Sequence, residues 1–352
     1  MFESLTIIDC STVLAGPSVG TFFAELGARV IKIEHPNNPD VTRSWKLSTE
    51  KTTGISAYFS SVNYKKTYQQ LNLSNASDRS ELLSLLSNAD IFISNFKKGD
   101  AEKFALTPEL LHTINPRLII GKITGFGDES DRVAYDLILQ AETGYMSMNG
   151  TAASGPTKMP VALIDVLAAH HLKEGILIAL YNRLETNKGA VVSVSLYDAA
   201  IASLANQAAN FLMAGHVPQR IGSLHPNIAP YGEIFETIDN QLITFAIGSD
   251  RHFAGLCDFL KITQLTADAR FISNSDRVQN RTELFALLQN EIRKQPALEI
   301  THAMERLAIP AGIVKDLATV FDSTEAQKLV RTENIENQVT KRVSQIAFKI
   351  NE

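Results

Sequence analysis

Residues 5–34 read LTIIDCSTVLAGPSVGTFFAELGARVIKIE, and the order of textures within them sets the fold class. Residues 5–9 form a short apolar run of the kind a buried strand uses. Residues 11–17 are mostly small and end in Gly16-Pro17, where Pro17 suits the first turn of a helix. Residues 18–26 continue that helix to Gly27, and residues 28–34 read as a second strand. Strand, glycine-containing turn, helix, strand is the opening of a Rossmann-like α/β unit. The turn lacks the G-x-G-x-x-G spacing of a dinucleotide site, so no NAD is inferred. A helix N-terminus at such a turn still suits a phosphate or an adenosine end.

The alternation continues outward. Residues 68–73, 89–95 (ADIFISN), 117–123 (RLIIGKI) and 191–196 (VVSVSL) read as strands. Residues 77–86, 135–148 and 197–214 read as helices, and Thr107-Pro108 caps another that runs to His112 or Ile114. The expectation is an α/β fold with a mostly parallel sheet and helices on both faces. The texture changes at residues 216–231, which are rich in proline, glycine and asparagine and suggest a linker. A β-hairpin at residues 233–247, helices at 250–260 and 281–292 and a short strand at 309–313 follow. The expected division is a large domain over residues 1–215, a smaller α+β domain with linkers over 216–310, and a return to the large domain over 311–352.

The most informative single stretch is residues 160–189, PVALIDVLAAHHLKEGILIALYNRLETNKG. An apolar run meets a helix that is apolar nearly all round, which marks a buried helix. Asp165 stands at the junction, and the helix is expected from Val166 to Leu184. There Asp165 reads either as an N-cap or as a chemically active carboxylate, held ionised by the positive end of the helix.

Composition narrows the function classes. The chain has 352 residues with 45% hydrophobic and 20% charged content, ordinary for a globular protein of about two domains. A net charge of −5 without a basic stripe gives no reason to expect nucleic acid as a partner. Cys10 and Cys257 are the only cysteines, and the eight histidines lack ligand spacing, so neither a disulfide framework nor a metal site is expected. No apolar stretch is long enough to span a membrane. The opening MFESLTIIDCS has no basic leader, which points to the cytoplasm.

Several motifs, taken together and in order, carry a resemblance. They are Val13-Leu14-Ala15-Gly16-Pro17 with residues 26–34, Ala89-Asp90 with Asn95-Phe96, and Asn115-Pro116-Arg117-Leu118. Next come Gly125-Phe126-Gly127 with Tyr135-Asp136-Leu137 and Gln140-Ala141, then Ile164-Asp165. Later ones are residues 225–231 (HPNIAPY), Arg270-Phe271 with Asn274 and Arg277-Val278, and Ile309-Pro310-Ala311-Gly312. On these residues the chain resembles the family III CoA-transferases, a group that includes formyl-CoA transferase and carnitine CoA-transferase. The resemblance implies a homodimer whose subunits thread through each other like linked rings. It also implies an acyl-CoA and a small carboxylic acid as substrates, with no permanently bound cofactor and no metal. Asp165 becomes the implied nucleophile, forming an aspartyl anhydride and then an aspartyl-CoA thioester.

The same resemblance puts Val13, Leu14 and Ala15 at the adenine pocket, with Leu71, Asn72, Leu73, Asn95, Phe96 and Lys97 as further CoA contacts. Lys103 stands where the family often has an arginine near the phosphates, and Tyr135 and Asp136 approach the pantetheine end. His35 stands where formyl-CoA transferase has an arginine, which puts one phosphate contact in doubt. Residues 225–231 take the place of that enzyme's glycine-rich loop, a variant that resembles the subgroup using succinyl-CoA. Arg220, His225 and Arg251 are candidates for the acceptor carboxylate, each equally readable as a surface residue. The chain also stops soon after Ala347-Phe348, where the family usually continues.

Two rivals stand beside this reading. The α-methylacyl-CoA racemases of the same superfamily need acid and base groups on both sides of the α-carbon. They carry a histidine where this chain has Tyr135, a poor base at neutral pH. A non-catalytic acyl-CoA-binding paralogue is the other, and retention of Asp165 speaks against it.

Overall fold

A computed structural model describes residues 1–351. The chain forms two compact units, one from Met1–Met148, Thr157–Gln219 and the segment from Glu325 onward, the other from Asn149–Pro156 and Arg220–Thr324.

The larger unit is built on six strands: β1 (Thr6–Asp9), β2 (Arg29–Glu34), β3 (Lys66–Gln70), β4 (Ile91–Ser94), β5 (Ile119–Thr124) and β6 (Val191–Ser195). All neighbours pair in parallel, in the order β3-β2-β1-β4-β5-β6. Strand order reverses between β1 and β4, the point where doubly wound sheets open a crevice at the carboxyl ends of their strands. Because successive strand residues point to opposite faces, Ile7, Ile91 and Ile119 enter one core while Ile8, Phe92 and Ile120 enter another. The first core is covered by the helices Ala15–Glu25, Leu163–Thr186 and Leu196–Ala202. The second is covered by Ala76–Leu86 and Pro108–Ile114. Burial on both faces explains why the central strands β1 and β4 read as short apolar runs. Gly189 leads into β6 so close to β5 that an added Cβ would lie 1.9 Å from the Leu118 carbonyl oxygen.

Two expected helices are each broken in two. The one over residues 135–148 becomes Asp136–Glu142 and Tyr145–Met148, because Gly144 takes φ 91° between them. The one over residues 197–214 becomes Leu196–Ala202 and Ala205–Ala214, with Ala205 at φ 47°. Apolar periodicity runs across both breaks, so it does not report them.

The smaller unit carries the antiparallel strands β7 (Tyr231–Glu236), β8 (Leu242–Ala246) and β9 (Ala311–Ile313), in that order. Phe235, Ile243 and Phe245 pack on the helices Asp250–Phe259, Arg281–Ile292 and Ala297–Arg306. Pairing of β9 with β8 keeps residues 311–313 in this unit, so the return to the larger unit comes at Glu325, later than the sequence suggested. The returning segment forms a hairpin of β10 (Val330–Ile335) and β11 (Gln338–Val343). Its turn residues Glu336 and Asn337 both have positive φ, as a two-residue hairpin turn requires. The Gln338 side chain exchanges hydrogen bonds with the backbone of Ile55 at 2.8 and 2.9 Å.

Candidate active site

Asp165 is not the cap of its helix. The helix begins at Leu163, its N-cap is Ala162, and Asp165 lies in the first turn. A free N–H of that turn is taken from elsewhere in the chain: Asp136 Oδ1 accepts from Ile164 N at 2.7 Å. The other Asp136 oxygen accepts from Gln140 Nε2 at 2.7 Å, and Gln140 Oε1 accepts from Met159 N at 2.8 Å. Asp136 thus does the capping that the sequence offered to Asp165. The Asp165 carboxylate makes no hydrogen bond or ion pair among the described residues, although the residue is only 8% exposed.

That arrangement weakens the expected hold on the charge. Burial, reinforced by the negative charge of Asp136, pushes the Asp165 carboxyl up to about 7. The helix end was expected to hold it ionised, but Asp136 already answers the helix's positive end. Tyr58 shares the neighbourhood. Burial, then Asp165, Asp136 and Asp40, push its hydroxyl up to about 12, so it stays a neutral donor at any working pH. Trp45 stands edge-on to Tyr58 at 5.2 Å between ring centroids and 6.4 Å from Tyr135. Neither Tyr58 nor Trp45 was singled out from the sequence. The one available signal was that Trp45 is the sole tryptophan.

A cleft of about 190 Å³ opens at the carboxyl ends of the strands around the β1/β4 switch point. His35, Leu71, Asn72, Leu73 and Phe96 line it, as do Cys10, Thr12, Ser74 and Phe104. Its walls are held by charges spent inward. Asp40 pairs with Lys32 at 3.2 Å, both side chains fully buried, and accepts from Thr42 N at 3.0 Å and Val13 N at 3.2 Å. Lys32 also donates to the Ser11 carbonyl at 2.7 Å. Glu34 is held by Arg43 at 2.6 Å. Beneath the turn, Lys66 pairs with Asp9 at 2.8 Å. Burial lowers the Lys66 ammonium to about 8 against the pull of Asp9.

The other residues singled out from the sequence lie outside the lining of this cleft. Val13 has φ 73°, a left-handed conformation costly for a β-branched residue, and is held there by Asp40. Leu14 is the N-cap of its helix and Ala15 is buried in the core. Asn95 is committed to the scaffold: its Oδ1 accepts from Thr12 N and its Nδ2 donates to Thr12 O, each at 3.0 Å, tying the loops after β1 and β4 together. Lys97 and Lys103 are exposed, and Lys103 lies 5.1 Å from the centroid of Phe104. Tyr135 is about half exposed. In the smaller unit, residues 225–231 are fastened from below. Arg281 donates to the carbonyls of His225 and Ile228, Arg277 to that of Ala229, and Asn274 to that of Asn227. The His225 ring lies against Tyr231 at 4.9 Å. Among the described residues, no group of three or more His, Cys, Asp or Glu is arranged to hold a metal ion, and no helix is long and apolar enough to cross a membrane.

The structure therefore holds a buried carboxylate without a partner near a neutral phenol, and a separate cleft at the switch point. Comparison with known proteins gives the family. The family model for CoA-transferase family III matches residues 2–351. The succinate–glutarate CoA-transferase of Agrobacterium fabrum is 34% identical over 332 residues, covering 92% of this chain and 82% of that protein. The acetyl-CoA:oxalate CoA-transferase of Acetobacter aceti is 36% identical over 321 residues, covering 90% and 81%. The crystal structure of a CaiB/BaiF family protein from Brucella suis superposes with a TM-score of 0.84 at 33% identity, covering 98% of this chain and 92% of that one.

Proposed function

The chain belongs to CoA-transferase family III, and from that premise we propose that it moves coenzyme A from succinyl-CoA to a small dicarboxylic acid through covalent intermediates on Asp165. That it is an enzyme transferring CoA between an acyl-CoA and an acid follows from its family and its relatives. The choice of donor and acceptor rests on the names of those relatives. Succinate and glutarate, oxalate, and succinyl-CoA with mesaconate recur among them, and each of these acids is a dicarboxylate.

The observation that carries the mechanism is the Asp165 carboxylate, buried yet without a partner. In the first step a carboxylate oxygen of Asp165 attacks the thioester carbonyl. The C–S bond breaks, CoA leaves as thiolate, and a mixed anhydride remains. The thiolate then attacks the Asp165 carbonyl, releasing the donor acid and leaving an aspartyl-CoA thioester. The acceptor carboxylate attacks that thioester, re-forming an anhydride and the thiolate. Attack of the thiolate on the acceptor's acyl carbon yields the new acyl-CoA and frees Asp165. Each tetrahedral stage needs a donor near the developing oxyanion, and the Tyr58 hydroxyl, un-ionised up to about 12, is suited to that work. Asp136 fixes the start of the helix on which Asp165 stands. The cleft at the β1/β4 switch point takes the nucleotide end, with His35, Leu71, Asn72, Leu73 and Phe96 in its walls.

The reading includes a cytoplasmic homodimer. The test of the function is trapping. Incubation with succinyl-CoA, then hydroxylamine or borohydride, and peptide mapping by mass spectrometry is expected to mark Asp165. The mark should vanish in Asp165→Ala. Absence of any adduct, together with exchange of the α-proton of a 2-methylacyl-CoA into heavy water, would replace transfer by racemisation.

A further inference from the structure

Arg79 is the fourth residue of the helix Ala76–Leu86, at the end where the helix dipole disfavours a cation. Its position is therefore not explained by the helix that carries it. Its Nη1 donates to the backbone carbonyls of Leu73 at 3.1 Å and Ser74 at 3.2 Å, and both residues line the cleft. Nε and Nη2 have no partner among the described residues, and no carboxylate lies within ion-pair distance. The nearest acid in sequence, Asp78, is committed to the Asn72 amide at 2.8 Å. One nitrogen thus hooks the guanidinium to the rim, while the rest of its planar donor fork stays uncommitted.

The cations of the cleft wall are spent differently. Lys32 and Arg43 neutralise Asp40 and Glu34 there, whereas Lys97 and Lys103 are exposed and lie outside the lining. His35 is the basic group of the lining itself, and its Nδ1 accepts from Asn37 N at 3.1 Å. A planar fork of this kind matches the oxygens of a phosphate and is always charged.

Resting on the coenzyme A reading of this cleft, we propose that Arg79 binds the 3′-phosphomonoester on the ribose of coenzyme A and makes the enzyme discriminate coenzyme A from its 3′-dephospho form. Topology selects that phosphate over the diphosphate. Arg79 follows β3, the edge strand. Asp165 and Asp136 form the reactive end, and Asp136 follows β5 on the opposite side of the switch point. The diphosphate leads away from the nucleoside toward the thioester, whereas the 3′-phosphate stays with the ribose at the β3 side.

The experiment is calorimetric binding of coenzyme A and 3′-dephospho-coenzyme A to the wild type, Arg79→Gln and Arg79→Lys. The wild type is expected to prefer coenzyme A by about tenfold to a hundredfold, the worth of a charge-assisted contact. Arg79→Gln should lose that preference by weakening coenzyme A alone, and Arg79→Lys should keep part of it. Equal weakening of both ligands in Arg79→Gln would make Arg79 a brace of the rim and overturn the proposal, as would an unchanged preference. A wild type that binds both ligands equally well refutes the proposal and leaves the coenzyme A reading standing. Binding of neither refutes both. If Arg79→Gln does not fold, the lysine variant decides, since a point charge keeps affinity for the phosphate but loses the forked geometry.

Discussion

Replacing Asp165 by Asn should stabilise the folded protein, and more so the higher the pH. In the unfolded chain the carboxyl releases its proton near the ordinary value of 3.8, whereas in the fold it holds the proton up to about 7. Between those values the native state binds the proton and the unfolded state does not, so wild-type stability falls as pH rises through this window. The full difference corresponds to on the order of 4 kcal/mol at 1.36 kcal/mol per tenfold change in acidity. Because Asp165 is only 8% exposed, solvent does little to screen it. Asparagine has almost the same shape and no charge to bury, so the variant should escape the cost. Urea unfolding of both proteins at pH 5 and at pH 8.5 measures this. The stability advantage of Asp165→Asn should grow by about 2–3 kcal/mol between the two conditions. An advantage that is the same at both pH values, or that shrinks as pH rises, would refute the reasoning. It would mean that the carboxylate is not carrying an uncompensated charge and that its burial is no argument for chemistry.

Three further outcomes follow from the same geometry. The proposed mechanism uses Asp165 as the carboxylate, so it predicts that kcat/KM for acyl transfer rises with pH through about 7, and that Asp136→Asn, which removes the second cause of that shift, moves the rise to lower pH; an unmoved profile would take Asp136 out of the account. Lys66→Met leaves Asp9 buried without its partner at 2.8 Å, and chemical unfolding should show a loss of about 3–5 kcal/mol, recovered in large part by adding Asp9→Asn. Asn95→Ala cuts both hydrogen bonds to Thr12, so stability should fall by about 1–2 kcal/mol and calorimetry should show weaker coenzyme A binding; unchanged binding would show that the two loops do not need this tie.

The strand–turn–helix–strand opening was legible because its signals are local. Residues 5–9 and 28–34 carry apolar residues to both faces of the sheet because both are buried, and that texture survives in the linear chain. The family motifs were legible for the same reason, and they singled out Asp165 and the segment Leu71-Asn72-Leu73 that lines the cleft. What Asp165 is free to do was not legible. Its release from capping depends on Asp136, 28 residues earlier in the chain, and no periodicity reports a partner at that distance. The raised carboxyl was not legible for the same reason, since burial and Asp136 act through space rather than along the helix. Asn95 resembled a ligand contact in the sequence, and only the fold brings Thr12 to both ends of its amide. Arg79 drew no notice because a charged residue in an exposed helix turn is ordinary. It is the packing of that helix beside the end of β3 that brings its guanidinium to the rim. The sequence by itself determined which faces are buried and which chemistry the chain carries. Tertiary structure alone decided which polar groups are spent on one another and which are left over, because that count depends on distances between residues far apart in the chain.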